Sequence, residues 1–348
     1  MNDRDAHKQQ THRVSRRRFL GVAGGATLPL LLTPSLLPAQ ALNRNRPQDI
    51  RCLFHWQKYL TLHANLRVMA MKRSEPPTQY AAAVEIYRHQ IFLIPGRDIW
   101  YSMESHIAPT STPDALRGQL TNVFPLSFRA YNLKPTGEEI AKAILMALPA
   151  FERGEWQQLQ ARQKEDIEPV LKRQFAPQQE KLTSFLLTSL NASPIALVQL
   201  DFQMLDRYVN TGNETRKFHN KHFNVIGTAR FTPMGVVETI IMLTGRIMDQ
   251  EDQGNSRAAL YQLRERQAPL RLPNPLLFPR AVLYWTAGEA VRRIMDPSHE
   301  HVAQRLKIYD RALRIFVPGL KEFWNPYLDG KLSLDEALNG MIQRVSET

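Results

Sequence analysis

A chain of 348 residues, 43% of them hydrophobic, is long enough to bury a large core in one domain. Its formal net charge is +12, yet no long Lys/Arg block concentrates that charge, which argues against a nucleic-acid arm and leaves nucleic acid outside the expected partners. The single cysteine, Cys52, excludes an intramolecular disulfide, Cys-x-x-Cys-His attachment of c-type haem, cysteine-ligated iron–sulfur clusters and four-cysteine zinc.

At the N-terminus, residues 1–14 are polar and carry Arg4, Lys8 and Arg13. Ser15-Arg16-Arg17-Arg18-Phe19-Leu20 follows, and then a weakly apolar run from Gly21 to Leu37 that closes on Pro38-Ala39-Gln40-Ala41. Ala39 and Ala41 fit the A-x-A pocket of a signal peptidase. Ser15-Arg16-Arg17-x-Phe19-Leu20 resembles the bacterial twin-arginine (Tat) signal, with Arg16 and Arg17 as the receptor-read pair. The run is shorter than the roughly 20 apolar residues of a spanning helix. Gly21, Gly24, Gly25, Pro29 and Pro34 dilute it further, so no permanent transmembrane anchor is expected. The resemblance covers residues 1–41 only. It implies engagement by the Tat translocase, cleavage after Ala41, a periplasmic or otherwise exported destination, and a domain over 42–348 that folds before crossing the membrane.

From Asp49 to Lys72 the residues Leu53, Trp56, Leu60, Leu66 and Met69 recur at near-helical spacing, with Cys52 as a small buried hydrophobe. Tyr80 to Ile94 repeats the pattern, although Tyr87 to Ile94 also suits a strand. Asp114 to Tyr131 predicts a helix bent near Pro125. Thr136-Gly137-Glu138-Glu139 predicts a capped start to a helix carrying Ile140, Ile144 and Leu148. Glu155 to Arg173 reads as a solvated helix, and Lys181 to Leu190 and Ile195 to Val209 as apolar ones. Thr232 to Asp249 has a Thr cap, Pro233 and a broad apolar stripe, the strongest core signal in the chain. Ala268 to Arg280, rich in proline, reads as extended. Ala281 to Met295 predicts a helix with Glu289 and Arg293 as a surface pair. Val302, Leu306, Tyr309, Leu313 and Phe316 predict another amphipathic helix, and Ser333 with Glu336 a capping box. The fold class expected is therefore all-α, one multi-helix domain with at most a minor β-hairpin or extended segment; the alternative is a division near residues 191–193.

The densest candidate site is Glu214 to His222. On a helix, His219 and His222 share a face at i, i+3 and could hold a metal with Glu214, while Asp201 or Asp206 approach; Arg216, Lys217 and Lys221 suit an anion instead. Glu85 and His89 at i, i+4 form a second candidate pair, which Glu104 and His106 could complete. Asn325 to Glu336 partly matches a calcium loop through Asp329, Gly330, Ser333 and Glu336, but Tyr327 stands at a ligand position and an Asp-Gly turn explains the same residues. His55, Tyr59 and His63 could approach one another along a helix, where a histidine can ligate haem. His299-Glu300-His301 reads as a helix start. No His-Glu-x-x-His, Gly-x-Ser-x-Gly or P-loop occurs.

Two functions fit these residues: an exported helical oxidoreductase with a non-covalent metal or haem held by histidine, and a non-catalytic subunit or binding protein serving another exported enzyme. The Tat resemblance implies folding before export, often around a cofactor. The substrate is not encoded in any motif present.

Overall fold

A computed structural model of the chain describes residues 51–72, 74–94, 97–127, 132–193, 199–205, 214–218, 221–227, 231–252, 254–272 and 274–348. Ser15, Arg16, Arg17, Phe19, Leu20, Ala39 and Ala41, the residues of the expected signal, lie outside them, as do Asp206 and His219. The described chain is predominantly helical, the all-α class expected, with one small sheet.

The first half begins with strand β1 (Arg51–Trp56), followed by α1 (Lys58–Met71), α2 (Ala81–Leu93), α3 (Arg97–Ile107), α4 (Pro113–Gly118) and α5 (Lys134–Arg153). The continuous helix expected from Asp49 is thus divided. Cys52, Phe54 and Trp56 alternate with other residues, a period-two pattern that a parallel ladder with a later strand uses. Tyr87 to Leu93 is helical, because α2 packs along α1 and α5 rather than in a sheet. The bend near Pro125 takes the form of a π turn over Gln119–Val123 and a 3-10 turn over Phe124–Ser127. Helix α5 starts before Thr136, so Thr136 is not its cap; Pro135 occupies the first turn instead. Leu60, Leu66, Tyr87, Trp100, Met103, Ile144 and Phe151 belong to one buried cluster.

A long segmented rod follows: α6 (Glu155–Arg162), α7 (Glu168–Val170) and α8 (Ala176–Leu190), joined by π turns. It is less solvated than its polarity suggests, for Ile167, Leu171 and Phe175 are buried in the second cluster. Asn191 ends α8 in the left-handed conformation (φ 46°). Strands β2 (Gln199–Leu205), β3 (Glu214–Phe218) and β4 (Lys221–Gly227) replace the helices expected over Ile195 to Val209 and Glu214 to His222. The sheet order is β1-β2-β4-β3, parallel at its first two pairings and antiparallel at the β3–β4 hairpin. Leu200, Phe202 and Met204 alternate with Asp201 and Gln203, so a strand pattern overrides helix propensity there.

The second cluster is built on α9 (Pro233–Glu251), α10 (Ala259–Gln267) and α11 (Leu277–Ile294). Thr232 caps α9 by accepting the Gly235 N–H at 3.0 Å, as its sequence predicts. After α12 (Val302–Arg305) the expected amphipathic helix stops: Lys307 takes φ 54°, and Ile308 N–H bonds Ala303 O at 2.8 Å while Lys307 N–H bonds Gln304 O at 2.8 Å. That pair of bonds is a Schellman ending with lysine in the place glycine usually holds. Val302, Tyr309, Leu313 and Phe316 are nonetheless buried, so the spacing reported burial correctly and helix length wrongly. Short helices α13 (Val317–Gly319) and α14 (Asn325–Leu328) lead to α15 (Leu334–Ser346), whose capping box from Ser333 and Glu336 is present in both directions. The described residues all fall within one compact unit, Asn45–Thr348, and no helix among them is long and apolar enough to cross a membrane.

Candidate functional site

The buried charge concentrates in the second cluster, at the crossing of α9, α11 and the segment before α12. Glu238 sits in the middle of α9 and Glu289 in the middle of α11, each 1% exposed. A buried carboxylate persists only where donors replace water. The loop after α11 supplies them. Asp296 folds this loop by accepting from the backbone N–H and hydroxyl of Ser298, which brings His299 and His301 back over the helices. Glu238 Oε2 shares a hydrogen bond with His299 Nε2 at 2.6 Å and accepts the Val302 N–H at 2.8 Å.

Glu289 is held more heavily. Its oxygens take Arg292 at 2.7 Å, Arg293 at 2.9 Å and His301 Nε2 at 3.2 Å, and Arg293 reaches on to Asp329 at 2.7 Å. Burial alone would raise the pKa of Glu289; the hydrogen bonds from His301, Arg292 and Arg293 outweigh it and bring it down to about 2. The surface pair expected of Glu289 and Arg293 is therefore the edge of a buried network. Gly288 explains how the imidazole fits: a Cβ there would lie 2.5 Å from two carbons of the His301 ring.

Three buried atoms of this cluster have no hydrogen-bond partner among the described residues: Glu238 Oε1, His301 Nδ1 and Tyr309 Oη. Burial, reinforced by the charges of Glu238, Tyr284 and Glu289, pushes the Tyr309 phenol well above its ordinary pKa, so it stays protonated. The Trp285 ring meets His301 edge-on at 5.1 Å and Tyr309 at 5.5 Å. Trp285 and Tyr309 also form the inner wall of a surface pocket of about 880 Å³. Its outer wall carries Arg314, Lys321 and Arg344 against Asp310 and Glu347. Arg344 is paired with Glu322 and Glu347, whereas Arg314 and Lys321 have no ion-pair partner among the described residues.

The first half holds a second buried polar group. His63 Nδ1 bonds the Tyr87 hydroxyl at 2.7 Å, and the two rings pack with Trp100; Arg67 pairs with Glu104 at 2.9 Å and lies over Trp100. Burial, with the Arg67 cation, pushes the His63 pKa down to about 3. Its Nε2 has no partner among the described residues. Cys52 is pushed up to about 12 by burial, which makes it an unreactive thiol.

The sequence-predicted sites fall elsewhere. Glu214 lies in β3 and His222 in β4, where Glu214 pairs with Val225 and His222 with Lys217; His219 lies outside the described residues, and Asp201 is in β2. Glu85 and His89 are exposed on α2, and Glu85 bonds Arg88. Glu104 and His106 are buried on α3, engaged with Arg67 and Gln119, and do not complete that pair. His55 is in β1 and His63 in α1, so the two do not share a helix. In the proposed calcium loop, Asp329 is taken by Arg293 and Lys331 and Glu336 by Ser333, while Gly330 makes the turn at φ 72°. Among the described residues no group of three His, Cys, Asp or Glu side chains is placed to hold one metal ion. Sequence reasoning missed Glu238 altogether; it placed His299 and His301 correctly at a helix start, since His301 directly precedes α12, but not their bonds to Glu238 and Glu289. The available signal was a glutamate amid the broad apolar stripe of α9, which only pairing or function accommodates. Comparison with protein-family models, curated proteins and solved structures finds no match for this chain.

Proposed function

We propose that the chain is a Tat-exported binding protein, serving as a non-catalytic subunit or carrier, and that its ligand is a small organic carboxylate seated in the pocket over Trp285 and Tyr309. One observation carries this reading: two unpaired cations, Arg314 and Lys321, stand over an aromatic inner wall in a pocket of ligand size. The wall gives the apolar body of a ligand a surface to cover, and the cations fix its charged end. Asp310 on the same rim disfavours ligands of higher negative charge. Isothermal titration of hexanoate into the purified protein tests this. Saturable binding lost in the Arg314→Ala/Lys321→Ala double variant is expected; binding that survives the double variant refutes it.

The oxidoreductase reading retains one supporting observation, the buried Nε2 of His63 without a partner among the described residues. Visible absorbance and metal content of protein purified after native export would reveal a haem or metal. Loss of that signal in His63→Ala would assign the ligand.

A further inference from the structure

Helix α15 arranges its charges with the helix dipole at all but one position. Asp335 and Glu336 stand in its first turn and Arg344 in its last, each at the end that favours its sign. Glu347 departs from this order: its carboxylate sits at the C-cap, beside the carbonyls that the helix leaves unbonded, where negative charge is disfavoured. It is nonetheless held. Glu347 Oε1 accepts from Gln343 Nε2 at 3.1 Å and Oε2 from Arg344 Nη1 at 3.3 Å. Arg344 and Glu347 both line the pocket, whereas Glu322, which meets the Nε edge of Arg344 at 3.7 Å, does not.

Both contacts on Arg344 are loose. Charge-assisted bonds close to about 2.7–2.9 Å, and Arg344, Glu347 and Glu322 are all about half exposed, where ion pairs contribute little. A guanidinium presents five N–H donors in a planar fork, and a well-placed carboxylate takes two of them in parallel. Glu347 engages a single nitrogen. We propose that Glu347 is a built-in competitor for the ligand carboxylate: it holds Arg344 until a ligand arrives, then yields it, so that Arg344 joins Arg314 and Lys321 as a third binding cation. Asp310 does not play this part, because no ion pair joins it to a cation of the pocket among the described residues. The exchange leaves no charge stranded. Glu347 is exposed enough to be solvated and keeps its bond from Gln343, while Arg344 trades one loose carboxylate for a better-placed one. Ligand affinity is thereby held below what three free cations would give.

Because this role rests on the pocket being the carboxylate site, the test titrates hexanoate calorimetrically into four purified proteins: wild type, Glu347→Gln, Arg344→Gln and the double variant. Glu347→Gln keeps the side chain's length and removes its charge. It should tighten hexanoate binding about threefold, the contribution of one exposed ion pair. Arg344→Gln should weaken binding about tenfold, and in that background Glu347→Gln should change nothing. The last comparison separates competition for Arg344 from a general relief of negative potential. An equal gain from Glu347→Gln in both backgrounds overturns the proposal. Hexanoate binding that requires Arg314 and Lys321 but is indifferent to Arg344→Gln also overturns it, and spares the pocket. Absence of hexanoate binding to wild type and to Glu347→Gln alike overturns both. Should Arg344→Gln not fold, Arg344→Lys takes its place: the charge stays, the fork is lost, and the gain from Glu347→Gln should shrink.

Discussion

Replacing Gly288 by alanine is the sharpest stability test of the buried histidine network. In an isolated helix that change is favourable by about 1 kcal/mol. Here the new Cβ would lie 2.5 Å from Cγ and Cδ2 of His301, and 2.8 Å from its Nδ1. Carbon atoms settle at about 3.5–4.0 Å, so the ring must retreat by about 1 Å. The 3.2 Å bond from Nε2 to Glu289 cannot survive that retreat. Overpacking costs about 1–3 kcal/mol, and an imidazole stripped of its partner adds about 1–3 kcal/mol, giving a net destabilisation of roughly 1–5 kcal/mol after the helical gain. Gly118 is a matched control: it is helical (φ −55°, ψ −43°), and nothing lies within 4 Å of its would-be Cβ. Gly118→Ala should stabilise by up to about 1 kcal/mol. Urea unfolding followed by circular dichroism compares the two. A Gly288→Ala protein as stable as the wild type would refute the placement of His301 over α11.

Further outcomes follow from the same geometry. Because burial lowers the His63 pKa to about 3 from an ordinary 6.5, the unfolded chain takes up that proton first. Its contribution to stability is complete above about pH 6.5 and is lost as pH falls toward 3. Urea midpoints should therefore show a loss of about 2 kcal/mol between pH 7.5 and pH 5, and His63→Asn should flatten that slope. Glu289, held at about 2 against an ordinary 4.5, contributes stability above pH 4.5 that is lost as pH falls toward 2; Glu289→Gln should remove this lower step, seen in acid titrations. Lys307→Gly should raise stability by about 1 kcal/mol in thermal unfolding, by relieving a left-handed lysine at the end of α12. Ser333→Ala should cost about 1 kcal/mol by opening the α15 capping box. Replacing Arg16 and Arg17 by lysine should abolish export of a fused reporter, and unimpaired export would refute the Tat assignment.

What could be read from residues alone was local. The Thr232 cap with Pro233, the Ser333–Glu336 box and the 3.6-residue stripes of α5, α9 and α11 depend on neighbours within a few positions, and these elements are present. The sheet was not legible in the same way. β1 and β2 are separated by the whole first helical half, and their pairing is a tertiary choice that outweighs helix propensity at Leu200 to Leu205. The end of α12 was hidden because lysine is an uncommon residue for a left-handed cap. Site residues were obscured for a related reason. Glu289 and Arg293 have the spacing of an exposed i, i+4 pair, and spacing says nothing about which face a neighbouring loop will cover. Only the return of His299 and His301 over α9 and α11 turns an ordinary helix pattern into a buried charge network. Histidine density pointed instead to His219 and His222; His222 lies in strand β4, and His219 lies outside the described residues.

The most direct measurement is a crystal structure of the protein grown with hexanoate. The expected result is ligand density in the pocket beside Trp285 and Tyr309, with its carboxylate at Arg314 and Lys321. Ligand bound elsewhere on the protein, or a pocket without it at saturating concentration, would contradict the assignment.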